Sequence, residues 1–78
     1  MRKIKVGGTY KHFKGGLYKV IDVARNSENP QEELVVYKHY DGEPKYGLDQ
    51  LWVRPLKMFL EKVTREGKTF YRFEEVKQ

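Results

Sequence analysis

Seventy-eight residues, no cysteine, a net charge of +5 and 35% charged side chains place this chain near the lower size at which packing alone supports a fold. The lack of cysteine excludes disulfides, thiolate nucleophiles and Cys-based zinc sites, and it fits a reducing compartment. An aromatic content of 14% separates the chain from disordered polar tails. No apolar run reaches the length of a signal peptide or a membrane span, so the composition predicts one soluble, cytoplasmic domain over residues 1–78, with a core over about 6–73 and a fraying tail over 74–78.

The positive charge is unevenly spread. Residues 1–25 hold seven Lys/Arg against one Asp, whereas residues 26–78 hold nine Lys/Arg against ten acids. A basic segment of this kind raises the local concentration of anionic partners, and it also serves solubility.

In chain order, residues 6–12 read as a first strand entered through Gly7 and Gly8, and Lys14-Gly15-Gly16 as a tight connection in which glycine accepts positive φ. Residues 17–25 form a strand apolar on both faces, through Leu17, Tyr18, Val20, Ile21, Val23 and Ala24, as in a strand bent across a barrel. Residues 26–30 are polar and end in Pro30, which cannot donate to a ladder, so they read as an exposed loop. A strand over 33–40 returns beside the second. Asp41, Gly42, Pro44 and Gly47 mark a loop, and residues 48–54 give the next strand, stopped by Pro55.

Leu56, Phe59, Leu60 and Val63 fall at i, i+3, i+4 and i+7 behind Pro55, a residue suited to a first helical position, and this predicts one or two helical turns plugging a barrel end. Residues 63–65 and 69–73 flank Glu66-Gly67-Lys68, the pattern of a terminal hairpin whose pairing closes the sheet.

Several stretches together carry a family resemblance: Gly8 to Gly15 (Gly-Thr-Tyr-Lys-His-Phe-Lys-Gly), Tyr18-Lys19-Val20, Val23-Ala24-Arg25, Ser27-Glu28, Glu33 to Tyr37, Leu51-Trp52-Val53-Arg54-Pro55 and Met58-Phe59. The chain resembles the bacterial and phage domain family of unknown function DUF1653 over nearly its whole length. Asn26, where a His usually follows the Ala-Arg pair, and Asn29, in place of a Thr, depart from the pattern. The resemblance implies a mainly-β fold, a single SH3-like small barrel of about five or six antiparallel strands with one short helical turn near residues 55–61. It implies nothing about function.

The candidate ligand-binding residues are Tyr10, His12, Lys14, Tyr18, Arg25, Tyr37, Trp52, Arg54 and Arg72, because Arg with aromatic groups can stack a base and clamp a phosphate or carboxylate. The competing reading buries the Tyr and Trp rings in a core too small to be all aliphatic. Arg25, Arg54 and Glu28 are also a candidate structural clamp holding a loop to the barrel. His12 and His39 are too few for a metal site, and no activated nucleophile or paired carboxylates have a fixed spacing, so the sequence predicts no metal, no cofactor and no enzyme.

A non-catalytic binding module for an anionic ligand, nucleic acid or nucleotide, is the leading functional expectation. A protein-interaction module taking a peptide on a barrel edge or aromatic groove is the rival. No membrane partner is expected, and a free strand edge could pair two copies across a two-fold axis.

Overall fold

The computed structural model describes residues 3–77. Seven strands and one short helix follow in the order β1 (Thr9–His12), β2 (Leu17–Asn26), β3 (Asn29–His39), β4 (Trp52–Pro55), α1 (Leu56–Leu60), β5 (Lys62–Arg65), β6 (Lys68–Tyr71) and β7 (Phe73–Val76). The mainly-β expectation with one short helical segment holds. Five strands form an antiparallel sheet in the order β4-β3-β2-β1-β7, and β5 pairs only with β6 among the described residues. No ladder joins β4 to β7 there, so the barrel is not closed by backbone bonding. None of the described helices is long and apolar enough to cross a membrane.

The inner face follows from the period of two. Tyr10 and His12 on β1, Val35, Tyr37 and His39 on β3, and Trp52 and Arg54 on β4 share it, since Val35 pairs with Arg54 and Tyr37 with Trp52. On β2 the pairing steps from Val20↔Tyr37 to Asp22↔Val36, leaving Ile21 as an extra residue. That bulge inverts the alternation, so Tyr18 and Val20 face inward before it and Val23 after it. It explains why β2 reads as apolar on both sides while Ile21 is 37% exposed.

Among the described residues the core is six side chains: Tyr10, Val20, Val35, Tyr37, Phe59 and Phe73. Phe59 stacks flat on Phe73, with centroids 4.0 Å apart and planes within 3°, and Tyr10 and Tyr37 meet Phe59 edge-on at 5.3 and 5.5 Å. Leu56 and Leu60 pack around this cluster, giving the helix its i, i+3, i+4 contact. The helix is one turn long. Pro55 precedes it as the cap in extended conformation (φ −53°, ψ 136°) while still pairing with Leu34, and Val63 belongs to β5 instead.

Four other boundaries differ from the sequence expectation, each for a local reason. β1 starts at Thr9, because Gly7 turns at φ 85°, although Gly7 N and Gly8 O still bond to Val20. Pro30 lies inside β3: the pairing jumps from Arg25↔Glu33 to Asn26↔Asn29, so residues 30–32 bulge and no ladder bond is asked of the proline. The strand expected over 48–54 begins only at Trp52, with Leu48 and Leu51 exposed before it. Of the residues expected to fray over 74–78, Glu74, Glu75 and Val76 instead belong to β7 and pair with Lys11, Tyr10 and Thr9, while Gln78 lies outside the described residues.

The β5–β6 hairpin therefore does not close the sheet. The chain bends at Arg72, whose N–H donates to Glu61 O at 3.0 Å and whose carbonyl accepts from Phe13 N–H at 2.9 Å, and only then enters β7.

Because Phe59 is fully buried, Phe59→Ala should lose about 3–5 kcal/mol in urea denaturation, a large part of the stability of a domain this small. The Glu66-Gly67 turn holds both residues at positive φ, 51° and 76°, as a two-residue type I′ hairpin requires. Replacing Glu66 with Asn, which accepts this region more readily, should raise stability by about 0.5–1 kcal/mol in the same assay.

Candidate functional site

The inner face carries polar groups where the hydrophobic cluster ends. His12 on β1, Tyr18 on β2 and His39 on β3 continue the rows of Tyr10, Val20 and Tyr37 by two residues each, so strand alternation alone brings them to one rim. Tyr18 and His39 are paired in register, with ring centroids 4.6 Å apart. His12 meets Tyr18 at 6.3 Å and Phe73 edge-on at 4.8 Å. Arg54 comes in from β4, its guanidinium 5.4 Å from the Phe73 ring centroid.

Arg54 has no carboxylate partner among the described residues. The ion pairs among the described residues are Lys5–Glu75 and Arg72–Glu61, and the half-buried Arg54 side chain rests on an aromatic face instead. Arg72 is engaged: its Nη2 donates to Glu61 Oε1 at 2.6 Å, a short charge-assisted bond. Its Nε is buried without a partner among the described residues.

The electrostatics match this layout. Burial lowers the pKa of His12, and the positive charges of Arg54, Arg72 and Lys14 lower it further, so the imidazole is neutral at physiological pH. Its Nδ1 accepts from Lys14 N–H at 3.1 Å, which leaves Nε2 to carry the proton. Burial raises the pKa of Tyr18, with Tyr37 and Asp41 adding to the rise and Arg54 opposing it, and the phenol remains a donor. A guanidinium, a phenol and a neutral imidazole on one rim form a set of hydrogen-bond donors around one unpaired positive charge.

Of the residues singled out from sequence, His12, Tyr18, Arg54 and, through its charge on His12, Arg72 come together. Tyr10 and Tyr37 do not offer a surface: they are 1% and 7% exposed, and the Tyr10 hydroxyl accepts from Lys5 N–H at 2.9 Å. Trp52 is half-buried beside Tyr46, ring centroids 5.6 Å apart, and its indole Nε1 is buried without a partner among the described residues. Lys14 is exposed, with Nζ 5.8 Å from the Phe13 ring.

Arg25 stands apart at the far end of β2, donating to Pro30 O at 2.7 Å. The clamp of Arg25, Arg54 and Glu28 is not assembled. Glu28 instead donates its backbone N–H to Asn26 Oδ1, and Arg54 is on the other side of β3. Phe73 and His39 were missed as site residues. The period-two pattern from Tyr37 to His39 could have flagged the histidine, whereas Phe73 enters by a long-range pairing with His12.

The family profile described as a protein of unknown function, DUF1653, matches residues 8–75. This chain belongs to the DUF1653 family. A crystal structure of a DUF1653 protein from Bordetella bronchiseptica is similar to it at 28% identity and a TM-score of 0.78, covering 97% of this chain and 91% of that one. A comparison with curated proteins finds no match. The match extends into β7, in keeping with its place in the sheet. Asn26, the last residue of β2, caps the turn to β3 by accepting from Glu28 N–H and donating to Glu32 Oε1, both at 2.9 Å.

A lowered folded-state pKa for His12 means that the unfolded chain binds more protons below the ordinary value of 6.5. Stability contributed by neutral His12 is thus complete above pH 6.5 and is lost as pH falls through the folded pKa. Wild-type protein should lose stability over this window faster than His12→Gln. In Arg54→Ala the His12 titration, followed by NMR, should move up toward the ordinary value.

Proposed function

We propose that this protein is a non-catalytic binding module whose ligand is anionic and is held at the rim formed by Arg54, Tyr18 and His12. The single observation that carries this reading is the Arg54 guanidinium, half-buried, laid on Phe73 and free of any carboxylate or hydrogen-bonding acceptor among the described residues. Burying a cation without a counter-charge costs free energy, and an arriving phosphate or carboxylate offsets it through two parallel hydrogen bonds. The Tyr18 ring, near enough for the Arg54 charge to act on its phenol, and the His39 ring packed against Tyr18 suit a planar group such as a nucleobase. The basic first third of the chain draws such ligands in.

A second reading has its own observation. β4 is an edge strand that exposes Val53 (60%), and the segment leading into it exposes Tyr46 (62%), Leu48 (43%) and Leu51 (51%), a surface suited to a partner peptide adding beside β4.

Trp52 lies two residues from Arg54 on the same strand face, roughly 7 Å along β4, so its fluorescence reports on the site. Titration with inorganic phosphate and with nucleoside mono- and triphosphates should give saturable quenching, weakened at least about tenfold in Arg54→Ala, the loss of one charge-assisted pair. Equal affinity in wild type and Arg54→Ala would remove the reading. Binding of none of these anions, with capture of a β4-complementary peptide, would favour the protein partner.

A further inference from the structure

We infer that a second basic surface, in the groove between the turn after β1 and the β5–β6 hairpin, binds single-stranded nucleic acid, extending the rim at Arg54 into a track for more than one nucleotide. The inference rests on the anionic-ligand reading and specifies the ligand as a polymer, but it is carried by different residues.

Two cations gather there about one ring, and a third lines the same groove. Arg65 Cζ and Lys14 Nζ lie 5.6 and 5.8 Å from the Phe13 centroid, and Lys68 lines the same groove with Phe70 and Glu66. The hairpin register sets Arg65 directly opposite Lys68. Like charges in directly opposed positions repel across a ladder, and no ion pair among the described residues relieves them. Glu66, in the turn between them, is the one acid among the groove residues. Such an arrangement gains when a polyanion lies along the groove.

The aromatic half of the groove selects the kind of polyanion. Phe13 and Phe70 are half-buried with centroids 5.5 Å apart, on the same side of the hairpin as Arg65 and Lys68, since Val63 and Phe70 pair two residues along from that rung. Phenyl faces between cations stack unpaired bases while the cations take the phosphates, a recognition that a duplex with its bases enclosed does not satisfy. His12, Phe13 and Lys14 join the two surfaces: the His12 ring lies 4.6 Å from Phe13 on one side and 4.8 Å from Phe73, the ring under Arg54, on the other. A strand crossing this turn passes from the Arg54 rim to the hairpin groove.

The test is fluorescence anisotropy of a labelled short oligothymidylate and of a duplex of equal length, across a salt series. The proteins compared are wild type, a groove variant (Lys14→Gln, Arg65→Gln, Lys68→Gln) and a control of equal charge loss on exposed residues elsewhere (Lys19→Gln, Lys45→Gln, Lys57→Gln). The single strand should bind more tightly than the duplex. The groove variant should flatten the slope of log K against log salt by about 2, as three lost phosphate contacts on a single strand require, and the control should flatten it far less. Phe13→Leu should weaken the single strand about tenfold with the salt slope unchanged, thermal melts confirming that each variant is folded. Equal effects of the groove and control variants, or preference for the duplex, would overturn the inference. If nucleoside triphosphates still bound in an Arg54-dependent way, the rim reading would stand without it; if they did not, both would fall.

Discussion

The stack of Phe59 on Phe73 is the contact on which the rest of the structure depends. Phe59 belongs to a one-turn helix without a side-chain cap, too short to persist on its own propensity. Phe73 opens an edge strand of four residues. The helix has no independent reason to form, and the last strand has only the edge of β1 to pair with; the parallel contact of the two rings fixes the helix over the sheet at the start of that strand. Tyr10 and Tyr37 then meet Phe59 edge-on, the arrangement that aromatic quadrupoles favour. A domain of this size has few aliphatic side chains to spend, and its core is aromatic because rings bury the most area per residue.

The same stack shapes the polar rim. Phe73 has its core side against Phe59, while its ring also carries the Arg54 guanidinium and meets the His12 edge. A core aromatic thereby doubles as the floor of the candidate site, so stability and binding are coupled through one residue. Arg72 shows the contrasting use of the same side chain: held by Glu61 at the bend between β6 and β7, it supports the chain path and contributes its charge to His12 without presenting a free guanidinium.

Much of this was legible in the sequence. The glycine turns, the long central strands, the helical turn behind Pro55 and the Glu66-Gly67 hairpin all rest on local chemistry: positive φ, period-two alternation, i, i+3, i+4 spacing. The departures arise where pairing overrides local preference. Pro30 is admitted to β3 because a bulge removes the demand for its missing N–H, and Glu74 to Val76, polar enough to read as a tail, become a strand because β1 offers them an edge. The Ile21 bulge is the subtle case, since an alternation that changes phase in mid-strand looks like a strand buried on both faces.

By itself the sequence determined the mainly-β class, the family and the residue types available for a site, because these follow from composition, turn chemistry and motif. It could not decide which of Tyr10, Tyr18, Tyr37 and Trp52 are core and which are rim, since each lies on the inner face and only what packs over it in the folded chain separates them. Nor could it separate Arg54, Arg72 and Arg25, three guanidiniums of the same chemistry. Tertiary structure gave Arg72 a carboxylate and Arg25 a carbonyl, and left Arg54 on an aromatic ring with neither among the described residues. Partner choice is a property of positions brought together by long-range pairing, and that pairing is not written locally in the chain.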